Sequence, residues 1–145
     1  MNRAQIAALI PHAGSMVLLD RVLSWDDNTL VASADSHCDP ANPLRSNGGL
    51  AAVHLIEYGA QAMAIHGGLL AQRDGGVAAP GLLGGLREVQ LQVDVLDTLP
   101  GPLTLLVTRL VGGAKGWLYA FHAESDGQVI GSGRVSVIPT SLRSG

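Results

Sequence analysis

Cysteine is almost missing from this chain of 145 residues. Cys38 stands alone, which excludes an internal disulfide and any cysteine-rich metal pattern, and its default place is as a small buried hydrophobe. Aromatic residues are nearly as scarce: one Phe, two Trp and two Tyr. The core must therefore be built from Leu, Val, Ile and Ala, with glycines permitting close approach of backbones. Charge is thin as well, at 14% of residues, with a net of −3 and no cluster of Lys or Arg. That removes the basic footprint of a nucleic-acid-binding protein. No stretch approaches the roughly eighteen consecutive apolar residues of a membrane span. The N-terminus also lacks the basic region and unbroken apolar run of a signal peptide. No membrane partner and a cytoplasmic location are expected.

Aliphatic residues are what the chain has in quantity, 47% of it being apolar. The length suits one core, so a single domain over residues 1–145 is expected. So apolar a chain with so few charges points to surface covered by a partner, and hence to an oligomer.

Punctuation by Pro and Gly divides the chain. Asn2 to Ile10 reads as a short helix stopped by Pro11. Ser15 to Trp25 reads as a first strand ending at Asp26-Asp27-Asn28, and Thr29 to His37 pairs with it as a hairpin. Cys38 to Gly49 is a loop, with Pro40, Pro43 and Asn47-Gly48-Gly49. Leu50 to Gly68 then reads as a helix apolar nearly all round, closed by Gly67-Gly68 or by Asp74-Gly75-Gly76, and such a helix expects burial on every side. The second half is β: Gly81 to Val95, Leu103 to Leu110, Gly116 to Ser125 and Gln128 to Ile138. Turns fall at Pro100-Gly101-Pro102, Gly112-Gly113 and Asp126-Gly127, the last a strong hairpin signal. An α+β fold follows, one long antiparallel sheet wrapped around one buried helix.

The central helix carries ionisable and amide groups on one stripe. At 100° per residue His54, Glu57, Tyr58, Gln61 and Ile65 fall within about 100° of one another. An unpartnered charge in such a setting costs several kcal/mol, so a stripe of this kind marks candidate chemistry.

Several motifs share an order with a known family. Leu9-Ile10-Pro11-His12 followed by Met16 to Val22 (MVLLDRV) resembles the opening of the 3-hydroxyacyl-[acyl-carrier-protein] dehydratases. Glu57-Tyr58-Gly59-Ala60-Gln61-Ala62 is similar to their Glu-x-x-x-Gln-Ala on the central helix, and Gly85 to Val89 to their third strand. The branch found in aryl-polyene biosynthetic clusters, with its Ile-Glu-Tyr-x-Ala-Gln pattern, is the most similar, matched by Ile56 to Gln61. The resemblance covers almost the whole chain and implies a hotdog fold that dimerises. It departs at one place. The family's catalytic histidine lies in a His-Phe-Pro-Gly run before the helix, whereas Pro43 to Leu50 here is shorter and holds no histidine.

The implied activity is elimination of water from a 3-hydroxyacyl thioester on acyl carrier protein, a lyase step of fatty-acid or polyene-type biosynthesis. It needs an acid, a base and a donor to the thioester oxygen. Glu57 is the natural acid, since burial raises a carboxyl pKa, and Gln61 one turn on would orient the leaving hydroxyl. His54 and His37 are the candidate bases. His12 is expected to be structural, His66 to suit the helix dipole as a cation, and His122 to be packed or exposed. Gly49 and Leu50 would offer free N–H groups, and Ile56, Ala60, Leu83 and Gly84 would line an acyl channel between helix and sheet. No metal or resident cofactor is expected, since phosphopantetheine arrives on the carrier. Arg45, Arg73, Arg87, Arg109 and Lys115 are scattered cations, one or two of which could meet its phosphate or an acidic carrier. Partners are the carrier and a second hotdog subunit, as homodimer or heterodimer. The alternatives are a hotdog thioesterase, in which the helix carboxylate activates water, and a catalytically incomplete subunit that works with a partner dehydratase.

Overall fold

Alternating aliphatic residues and glycine-marked turns fold into one six-stranded antiparallel sheet carrying one long helix. The computed structural model describes residues 1–10, 16–76, 81–113 and 116–139, the side chains of 81–83, 113 and 139 excepted. The elements are α1 (Arg3–Ala7), β1 (Arg21–Trp25), β2 (Thr29–Ala34), α2 (Leu55–Arg73), β3 (Gly81–Leu91), β4 (Leu103–Gly113), β5 (Gly116–Ser125) and β6 (Gln128–Pro139). The sheet order is β1-β2-β4-β5-β6-β3, with every pairing antiparallel. α2 packs against β2, β4 and β5. This is the expected hotdog arrangement.

The turns show why the strands stop where they do. Asp126 (φ 51°) and Gly127 (φ 77°) both adopt left-handed backbone between β5 and β6, as a type I′ hairpin requires. Gly112 and Gly113, expected as a turn, instead end β4, and residues 114–115 beyond them lie outside the described residues. The first strand is shorter than its apolar run suggests. Val17, Leu18 and Leu19 are buried, yet the ladder starts only at Arg21. α1 is one turn held by a capping box, in which Asn2 Oδ1 accepts from the Gln5 N–H at 3.0 Å and Gln5 Oε1 from the Asn2 N–H at 2.9 Å.

The start of α2 differs from its reading. Leu50 and Ala52 are tied to the segment after β3, with the Leu96 N–H donating to the Leu50 carbonyl and the Ala52 N–H to the Asp94 carbonyl. Those bonds hold 50–52 extended, one turn of 3-10 helix (Ala52–His54) follows, and α2 begins at Leu55. It ends at the later of the two expected stops, beside Gly75 in left-handed backbone (φ 81°). One side of α2 is only half-buried, contrary to the expected burial all round: Ile56, Glu57, Ala60, Ala64, Gly67 and Ala71.

Candidate active site

Glu57 sits on that half-buried side, in the first turn of α2. Its Oε1 accepts a hydrogen bond from Gln61 Nε2 at 3.1 Å. Gln61 is fully buried and uses both ends of its amide elsewhere as well. Oε1 accepts from the Leu18 N–H at 2.9 Å, and Nε2 donates to the Met16 carbonyl at 2.7 Å. A backbone donor and a backbone acceptor on opposite ends fix which way the amide points. Gln61 therefore clamps the buried 16–18 segment to α2 and holds Glu57 by one oxygen. The opening motif and the helix motif, 45 residues apart, meet here.

The amides proposed for the thioester oxygen are engaged, which corrects the expectation of open donors. Asn47 (φ 52°) and Gly48 (φ 77°) form a tight turn in which Ser46 and Gly49 exchange N–H···O bonds at 2.9 and 3.0 Å. The Leu50 N–H donates to Asp97 Oδ1 at 2.9 Å. That bond, with Arg45 4.0 Å from Oδ2, holds the Asp97 carboxyl below its ordinary pKa. Asp97, unremarked in the sequence, is a cap for the chain before the helix. Its position on the β3–β4 connection left no local signal.

The imidazoles separate by environment. His54 closes the 3-10 turn, half-buried, one turn before Glu57 and on the same stripe. His37 is fully buried and its Nε2 donates to the Leu99 carbonyl at 3.1 Å, leaving Nδ1 without a partner. In this structure it pins the loop to the β3–β4 connection. His66 is fully buried rather than a cation at the helix end. Nε2 donates to the Asp26 carbonyl at 2.8 Å, so Nδ1 accepts from the Tyr119 hydroxyl at 2.8 Å. Burial pushes its pKa below the ordinary value, and Arg109 adds to that. His122 lies 3.1 Å from Glu124 Oε1 on β5, and His12 is outside the described residues. Cys38 is exposed, against its buried default, with Sγ 3.6 Å from the Leu99 carbonyl.

Tyr58 follows Glu57 on the stripe and is fully buried. Its hydroxyl is 2.7 Å from Ser36 Oγ and accepts from Asn42 Nδ2 at 3.2 Å, while Ser36 Oγ donates to the Leu18 carbonyl at 2.7 Å. Burial raises its pKa. This knot fixes the loop before the helix against the same 16–18 segment that Gln61 holds. Of the expected channel residues, Ile56 and Ala60 lie on the half-buried side of α2 and Gly84 is exposed on the edge strand β3. The Leu83 side chain is outside the described residues. Beneath α2 the space at Gly59 is taken by the buried ring of Phe121. Among the described residues no group of three or more His, Cys, Asp or Glu side chains could hold a metal ion, and no helix is long and apolar enough to cross a membrane.

Comparison with known proteins agrees with this architecture. The "Dehydratase Heterocomplex ApeI:P" from Xenorhabdus doucetiae contains a chain that is 25% identical, with TM-score 0.85 over 96% of this chain and 95% of that one. Zebra fish thioesterase superfamily member 2 shares the fold at 16% identity and TM-score 0.64, over 94% of each chain. S. sahachiroi AziG does so at 17% identity and TM-score 0.59, over 90% of this chain and 97% of that one. Among curated proteins no significant match is found. The family model for ApeP-like dehydratases (ApeP dehydratase) matches residues 4–144, and the chain belongs to that family.

Proposed function

We propose that this chain takes part in dehydrating 3-hydroxyacyl groups carried as thioesters on acyl carrier protein, with Glu57 as the acid. The observation that carries this is a carboxyl on the half-buried side of a core helix, held by a buried glutamine whose own orientation is fixed. Glu57 gives its proton to the hydroxyl on C3, which departs as water. A base removes the proton on C2, and its electron pair becomes the C2–C3 double bond. Of the described imidazoles His54 suits the base by placement, being half-buried and sharing a stripe with Glu57. His37 and His66 are committed to backbone carbonyls within the fold. Gln61 acts through Glu57 as a positioning residue, since its amide is already occupied.

A second hotdog subunit belongs to the active assembly on this reading. The similar solved chain is part of a dehydratase heterocomplex, and this chain lacks the usual histidine before the helix. The test supplies a 3-hydroxyacyl-carrier thioester to the chain alone and with a co-purified hotdog dehydratase. An enoyl product supports elimination, whereas free thiol would make the protein a thioesterase. Glu57→Gln in the active assembly lowers the enoyl rate about 10²–10⁴-fold. An unchanged rate removes Glu57 from the chemistry.

A further inference from the structure

Arg109 stands apart from the other arginines of the described chain. Arg3, Arg45, Arg73 and Arg134 each have a carboxylate within 4.0 Å: Asp20, Asp97, Asp27 with Asp74, and Glu88. Arg21 and Arg87 are exposed. Arg109 is half-buried and has no carboxylate at ion-pair distance among the described residues. It is nevertheless held firmly. Its guanidinium carbon lies 5.2 Å from the Trp117 ring centroid and 5.6 Å from that of Tyr119, and Nε donates to the Tyr119 hydroxyl at 3.2 Å. Tyr119 donates in turn to His66, which donates to the Asp26 carbonyl. The β4 register shifts between Arg109 and Val111, a bulge of the kind that re-aims a side chain.

We infer that Arg109, framed by Trp117 and Tyr119, is a seat for a phosphate ester. Nε is consumed by Tyr119, so the two terminal nitrogens remain as the paired donors that fit phosphate oxygens. A partly desolvated cation without a counter-charge is costly, and ring faces offset only part of that cost. A bound anion supplies the rest. The carboxylates nearby are turned to other partners. Asp26 Oδ1 accepts from the Asn28 and Thr29 N–H groups, and Asp27 pairs with Arg73. The phosphate chemistry rests on this geometry alone; identifying it with a carrier-borne phosphopantetheine rests on the proposed function. His66 marks the seat's end of α2, about 13 Å along the axis from Glu57.

Binding, not turnover, tests the seat, so its failure is separate from any failure of the dehydratase reading. In a Trp25→Phe background Trp117 is the one indole, and its fluorescence reports 4′-phosphopantetheine, pantetheine and inorganic phosphate. The phosphorylated arm binds about tenfold or more tightly than pantetheine, and Arg109→Gln removes that difference. Arg109→Lys keeps the charge without the fork and retains part of it. Inorganic phosphate binding as tightly as 4′-phosphopantetheine identifies a free phosphate as the ligand; weaker binding identifies the arm. In the unaltered protein, phosphate binding moves the His66 imidazole titration upward, because it offsets the neighbouring guanidinium. Equal affinity for pantetheine and its phosphate, or an Arg109→Gln protein that still discriminates, overturns the proposal.

Discussion

Two glycines on one helix respond to the same substitution with opposite signs. A Cβ on Gly67 meets nothing within 4 Å, while a Cβ on Gly59 lies 3.1 Å from Phe121 Cγ and 3.3 Å from its Cβ. Replacing glycine by alanine inside a helix gains about 1 kcal/mol in both cases. At Gly59 that gain competes with overpacking, which costs about 1–3 kcal/mol where neighbours cannot retreat. Phe121 has nowhere to go. The outer end of the ring is already packed over Gly133, where a Cβ would stand only 2.8 Å from Phe121 Cε1 and 3.1 Å from Val89 Cγ2. Gly67→Ala therefore raises stability by about 1 kcal/mol, and Gly59→Ala lowers it by up to about 2 kcal/mol. For a chain of this size each kcal/mol moves Tm by about 2–4 °C. Urea titration with calorimetry on both single variants reads the two signs. The double variant Gly59→Ala, Phe121→Leu, compared with each single change, isolates the clash through its coupling energy. Equal stabilisation by both alanines would mean that Phe121 does not fill the space under α2.

Two further outcomes follow from buried polar groups. His66 has a folded pKa below its ordinary 6.5, so the unfolded chain binds the extra proton first. Its contribution to stability is complete above that value and is lost as pH falls from there towards the folded pKa. Unfolding titrations in the wild type show this slope and a His66→Gln protein shows less of it; identical slopes would remove His66 as the cause. Gln61→Leu leaves the Leu18 N–H and the Met16 carbonyl without their partner and costs about 1–3 kcal/mol. In the active assembly it lowers kcat more than it changes KM; a change confined to KM would mean that Gln61 touches substrate.

Local patterns were legible wherever the cause was local. Asp126-Gly127 gave its hairpin because both residues accept left-handed backbone. The alternation through Val93 and Val95 did not carry the strand to Val95: β3 ends at Leu91, and 94–96 bond to 50–52 instead. The misreadings share a physical source, long-range polar contacts with no sequence period. Leu50 to His54 looked helical, but backbone bonds to 94–96 hold its first part extended. Met16 to Asp20 looked like strand, yet its polar groups are met by Gln61, Ser36 and β2 rather than by a continuous ladder. Gly49 and Leu50 looked like open donors until Asp97 and Ser46 took their N–H groups. At the site, the Glu57–Gln61 spacing was readable from helix geometry. The uses of His37, His66 and Arg109 were not, because their partners Leu99, Tyr119 and Trp117 lie on other elements.

The sheet order sets a timetable for synthesis. β3 leaves the ribosome directly after α2, but its one neighbour is β6, the last strand of the sheet. From the emergence of β3 until residues 128–139 appear, β3 has no strand of its own chain beside it, while β1, β2, β4 and β5 can already pair. Non-local pairing of this kind is slow and leaves an edge open to other chains. The nascent subunit thus shows an unpaired strand until β6 has been made, a stage at which a chaperone or a companion subunit made nearby could reach it first.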